Sequence, residues 1–157
     1  MSRPPRWARR FFSGADLEAI AGTVNAVEER TAAEIRVHLE RRVPRGRRAP
    51  AGDALARARD VFLALKMHET RLHGGVLIYL AVDDRQLAII GDEGIHARVD
   101  PGYWEAVRDR MLERLRGGAA RDAVLQAVEE VGAVLAREFP RRPDDVDELP
   151  DDVSLGR

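Results

Sequence analysis

Carboxylates are the residues of this chain best suited to chemistry. Glu34, Asp92 and Glu93 are hard oxygen donors of the kind that hold calcium or magnesium. A cation held by them would position a bound water for attack on a phosphate ester. Asp92-Glu93-Gly94 also reads as a turn with a helix cap. Thr70, His73 and Gly74 form a candidate ligand-binding set, in which a hydroxyl, an imidazole and the backbone of a Gly-Gly pair are able to hydrogen-bond an anion. His68 and His73 supply acid or base groups, at a spacing that is not that of a zinc motif. Asp83 and Asp84 make a second, lesser metal candidate, facing Glu40 and the arginines that follow it. The same pair is ordinary turn chemistry, with arginines balancing its charge. His38 reads as a solvated strand residue. The chain has no cysteine, which excludes a thiolate metal site, a cysteine nucleophile and a disulfide framework.

The elements that must position these groups follow from periodicity. Ser13 and Asp16 open a helix whose apolar stripe is Leu17, Ile20, Val24 and Val27. Over 33–40 the period changes to two, with Ile35, Val37 and Leu39 on one face and Glu34, Arg36, His38 and Glu40 on the other. That pattern predicts a strand with one wet face near a sheet edge. Residues 41–50 carry five arginines, two prolines and a glycine, which fits a mobile loop. Asp53 caps a helix with Leu55, Ala58, Val61, Phe62 and Leu65 on its buried face, ending near Lys66.

The continuous apolar run from Val76 to Val82 predicts a strand buried on both faces. Asp83 and Asp84 turn it into a second strand over 86–90, so 75–91 is a central β-hairpin. A helix joins the first strand to this one, so those two are parallel by a right-handed crossover. Pro101 precedes a helix containing Trp104, Val107, Met111, Leu112 and Leu115. A last helix carries Ala123, Val124, Ala127, Val128, Val131, Val134 and Leu135, with Gly132 a point of close packing. The class is α/β with a small mixed sheet. Strand direction gathers Glu34, residues 67–75 and residues 91–94 at one end of that sheet, and Glu40, Asp83 and Asp84 at the other.

At 157 residues, 45% apolar and 34% charged, the chain suits one folded domain. Net charge is −1, but 1–10 and 41–48 are basic and 144–152 is acidic. Aromatics make up 5%, too few for the stacking surface of a nucleic-acid binder, so no nucleic-acid partner is expected. Residues 1–10 hold arginines and no apolar core, and no run approaches the length of a membrane span. The expectation is a cytoplasmic monomer without a membrane-spanning segment, with a flexible basic leader over 1–10, a domain over 11–139 and an acidic tail over 140–157, which composition reads as a disordered solubilising segment.

Several segments together resemble a known family. They are Phe11-Phe12-Ser13, Glu28 and Thr31 ahead of Ala33-Glu34-Ile35-Arg36-Val37-His38-Leu39-Glu40, Leu65-Lys66-Met67-His68-Glu69-Thr70, Gly75-Val76-Leu77-Ile78-Tyr79-Leu80-Ala81 and Ala88-Ile89-Ile90-Gly91-Asp92-Glu93-Gly94-Ile95. With Trp104, Phe139-Pro140 and Asp147-Glu148-Leu149-Pro150-Asp151, their order and spacing are similar to those of a TPM domain. The resemblance implies a three-layer α/β/α sandwich, with the acidic tail docked in part on the domain. It also implies acid phosphatase activity as in the thylakoid branch, or divalent-cation binding as in bacterial members. The functional expectation is a divalent-cation-binding accessory or interaction module using calcium or magnesium and an unidentified protein partner. Its alternatives are a metal-assisted acid phosphatase and a structural partner-binding domain without metal.

Overall fold

Ser13 opens the first long helix with a capping box: its hydroxyl accepts from the Asp16 N–H at 3.0 Å, and its own N–H donates to Asp16 Oδ2 at 2.8 Å. The computed structural model describes residues 3–44, 53–100, 102–143 and 148–156. In chain order these form α1 (Arg6–Arg9), α2 (Gly14–Glu28), β1 (Ile35–Glu40), α3 (Ala54–Ala64), a 3-10 turn (Met67–Glu69), β2 (Val76–Ala81), β3 (Gln86–Gly91), α4 (Glu93–His96), α5 (Tyr103–Arg116), α6 (Ala120–Glu138) and β4 (Ser154–Leu155). Asp53 caps α3 by accepting from the Ala56 N–H at 3.1 Å. That helix stops where Lys66 enters the left-handed region at φ 59°. The expected arginine loop is described only as far as Pro44; positions 45–52, Pro101 and the acidic run 144–147 lie outside the described residues.

The sheet order is β3-β2-β1-β4. β1 runs parallel to β2 in the register Ile35↔Val76 to Glu40↔Ala81, and β2 and β3 form the expected antiparallel hairpin, Val76↔Gly91 to Ala81↔Gln86. β2 is buried along its whole length. The open mixed sheet with helices on both faces is the α/β/α architecture. On one face Ile35, Val37, Leu39, Val76, Ile78, Leu80, Leu87 and Ile89 pack against α2, α5 and α6. On the other, Leu77, Tyr79, Ala81 and Ala88 pack against Val61 and Phe62 of α3 and Met67. Gly132 of α6 lies against Val27 of α2, as its position in the stripe predicts; a Cβ there would stand 2.4 Å from Val27 Cγ1.

Two expectations need correction. β1 has no wet face and does not lie at an edge: all six residues are buried, because β4 pairs with its outer side at His38↔Ser154 and Leu39↔Leu155. Leu55 is not buried under α3 but 43% exposed, and Leu63 beside it is 56% exposed. That helix covers only part of its face of the sheet, and these two leucines lie beside the β3 edge.

Candidate functional site

The polar face of β1 is the first place where charge is concentrated inside the fold. Glu34, Arg36, His38 and Glu40 are 3%, 8%, 6% and 3% exposed. Period-two spacing puts all four on the face opposite Ile35, Val37 and Leu39. α3 reaches this face with Arg57, and the chain end at 148–156 covers the rest. Glu34 accepts backbone N–H bonds from Glu148 and, at 2.7 Å, from Leu149. Arg36 donates to the Asp152 carbonyl at 3.4 Å. His38 Nδ1 lies 2.9 Å from Ser154 Oγ, and Gly156 N–H donates to the Leu39 carbonyl at 2.7 Å.

Glu40 is the centre of this network. It accepts from Tyr79 Oη at 2.6 Å, Arg57 Nε at 3.1 Å and Arg57 Nη2. His38 Nε2 approaches to 3.2 Å, an ion-pair distance off the line a hydrogen bond requires. Burial raises the Glu40 carboxyl, but His38, Arg57 and Tyr79 together outweigh burial and hold it down at about 2. Burial first, and then the carboxylate beside it, push Tyr79 upward. Serine, histidine and glutamate stand here in the order of a nucleophilic relay. The glutamate's charge is already met by Arg57, and each member also joins the chain end or α3 to β1.

Asp92 marks the opposite end of the hairpin. Its side chain caps α4 by accepting from the Glu93 N–H at 2.9 Å, and His73 Nδ1 stands 3.3 Å from its Oδ2. The structure therefore joins His73 to Asp92 but keeps Glu34 apart. The residue opposite both is Gly75 on the intervening strand, so the Glu34 and Asp92 backbones stand two strand spacings apart, about 10 Å, and the Glu34 oxygens are taken up by the chain end. Among the described residues no three His, Asp or Glu side chains are gathered as a metal ion requires.

The remaining predicted residues lie in two places, the turn ahead of β2 and the hairpin turn. Thr70 is buried, its hydroxyl without a partner among the described residues, and its carbonyl accepts from the His73 N–H at 3.2 Å. Gly74 packs so closely on Ala33 and Phe139 that a Cβ would stand 3.1 Å and 3.3 Å from them. At the hairpin turn Asp83 accepts from Arg41 Nε at 3.0 Å and Asp84 from the Val43 N–H at 2.8 Å. Both aspartates thus tie the chain leaving β1 to the turn.

The second place is the free side of β3, which periodicity did not single out. The Asp92 N–H donates to the Gly75 carbonyl at 2.8 Å, and this fixes the alternation along the hairpin. Gln86, Ala88 and Ile90 direct their backbone groups to β2, and Leu87, Ile89 and Gly91 direct theirs outward. A groove of about 880 Å³ follows this edge. Leu55, Arg59, Phe62 and Leu63 of α3 form one wall, and Trp104, Glu105 and Arg108 of α5 the other. Asp53, Asp92, Glu93, His96 and Asp100 complete its rim.

With the fold and its two polar regions in place, comparison with known proteins is decisive. The TPM domain family matches residues 8–134. The chain belongs to the TPM domain family. The BA42 protein of the psychrophilic bacterium Bizionia argentinensis, solved by NMR, is 37% identical over 93% of this chain and 96% of its own, with a TM-score of 0.82. The N-terminal domain of a protein from P. gingivalis shares 18% identity over 82% of this chain and 79% of its own at a TM-score of 0.66. The N-terminal domain of the cg2496 protein of Corynebacterium glutamicum shares 15% over 94% and 93% at 0.53. These last two show likeness of fold alone. No curated protein matches the chain. Among the described residues no helix of this TPM domain is long and apolar enough to cross a membrane.

Proposed function

We propose that this TPM domain is an accessory binding module whose contact surface is the groove along β3. One observation carries the reading: among the described residues a strand edge with outward backbone groups lies open between two helices, under walls that include the exposed Leu55 and Leu63. Natural sheets usually cover, shorten or charge such an edge, and the other edge of this sheet is the two-residue β4. A displayed library of short peptides panned on the protein tests the reading. Enrichment on the native chain that disappears with Leu63→Asp supports it; equal enrichment on both proteins would remove the groove from consideration.

The cation part of this reading rests on Asp92 and Glu93, which line one end of the groove. Calorimetric titration with calcium and with magnesium, on the native chain and on Asp92→Asn, reads it directly. Heat and a raised melting temperature in the native chain alone support a bound cation. Silence at millimolar metal retires the cation and leaves the groove reading standing.

A further inference from the structure

We propose that a segment of a partner protein adds to this sheet as a fifth strand on β3, with apolar side chains toward α3 alternating with basic side chains toward α5. The proposal rests on the groove being the binding surface and specifies what binds there. Main-chain bonds come first. The outward N–H and C=O groups of Leu87, Ile89 and Gly91 recur at every second residue, the spacing with which an added strand pairs.

The walls then dictate the side chains. Successive residues of an added strand point to opposite faces, so one set meets Leu55, Phe62 and Leu63 and the other meets Trp104 and Glu105. Charge decides the second set. Among the described residues Asp53, Asp92, Glu93, Asp100 and Glu105 place five carboxylates around the groove against two guanidinium groups, Arg59 and Arg108. That excess favours lysine or arginine in the partner.

At the Gly91 end the α5 wall closes directly over the pairing position: Trp104 packs on Gly91, where a Cβ would stand 3.2 Å from its Nε1. A second copy of this chain is the poorer occupant, because pairing β3 with β3 would bring two acidic rims together.

The test uses the full chain, isotope-labelled, and three synthetic peptides of about eight residues, long enough to match a typical strand. One alternates valine with arginine, one valine with glutamate, and one is the arginine peptide N-methylated on the edge that would face β3. The arginine peptide is expected to slow amide exchange at Leu87, Ile89 and Gly91 by about tenfold or more, with Ala88 and Ile90 unchanged, and to shift the Trp104 indole resonance. The glutamate and N-methylated peptides are expected to do neither. Binding at Leu63 without protection of the three amides overturns strand addition while the groove reading survives. Equal binding by the glutamate peptide overturns the basic partner. Sedimentation as a dimer with those amides already protected overturns it in favour of a second copy. Failure of these peptides and of the displayed library together overturns both readings.

Discussion

Glu28 is buried beside Asp151, and its Oε2 accepts from the Ile35 N–H at 2.9 Å. Its Oε1 and Asp151 Oδ1 are both buried without a donor among the described residues, an arrangement that a single shared proton satisfies. Burial first, and then Asp151, push the Glu28 carboxyl up from 4.5 to about 10. Because the folded value is the higher, the stability this group contributes is full below 4.5 and is lost as pH rises toward 10. Melting temperature across that window is expected to fall in the native chain and to stay nearly level in Glu28→Gln, whose amide can accept from Ile35 and donate to Asp151. Glu40 has the opposite sign. Its carboxyl is depressed from 4.5 to about 2, so its contribution is present above 4.5 and disappears as pH falls toward 2. Tyr79→Phe removes one donor to that charge and is expected to cost about 1.5–3 kcal/mol, read as a lower urea midpoint.

At the scale of elements, the chain end is the piece whose placement rests on fewest residues. β4 has two residues, and beyond it Gly156 lies so close to Glu40 that a Cβ would stand 2.3 Å from Cγ and 2.8 Å from Oε1. Glu40 cannot swing aside, since Tyr79 and Arg57 hold it. Gly156→Ala is therefore expected to release β4 and leave β1 and β2 paired. Amide exchange checks this: the Gly156 N–H loses protection and the β2 amides keep theirs. Gly132→Ala acts between helices instead. Its Cβ would stand 2.4 Å and 2.8 Å from the two Val27 methyl carbons. Valine in a helix has essentially one side-chain rotamer, so α2 and α6 must separate, at a cost of about 1–3 kcal/mol in urea denaturation. The apolar stripes of α2 and α6 were readable from spacing because each faces one continuous surface. The α3 stripe was readable only in part, since Leu55 has the right spacing but overhangs the edge of the sheet.

For the whole molecule, one sheet carries apolar side chains into packed layers on both faces. Neither layer keeps its packing if the hairpin is lost, so thermal unfolding is expected to be a single transition with equal calorimetric and van't Hoff enthalpies; two resolved peaks would contradict this. Local pattern determined the capped helices, the buried strand over 76–81, its antiparallel return and the parallel crossover, because each depends on periodicity or turn chemistry within a short span of chain. Segment order determined the TPM family. Tertiary structure alone decided what the charged face of β1 does. Alternation predicts a wet face whenever polar residues take every second position, and it does not register that a segment more than a hundred residues later returns to cover them. The same holds for the carboxylates. Glu34 and Asp92 sit at one end of the sheet as strand direction requires, yet β2 stands between them and Glu34 is spent on backbone N–H groups at Glu148 and Leu149. The open edge of β3 belongs to this class too, because an edge is defined by which strand is absent beside it, a relation between distant segments that no local pattern contains.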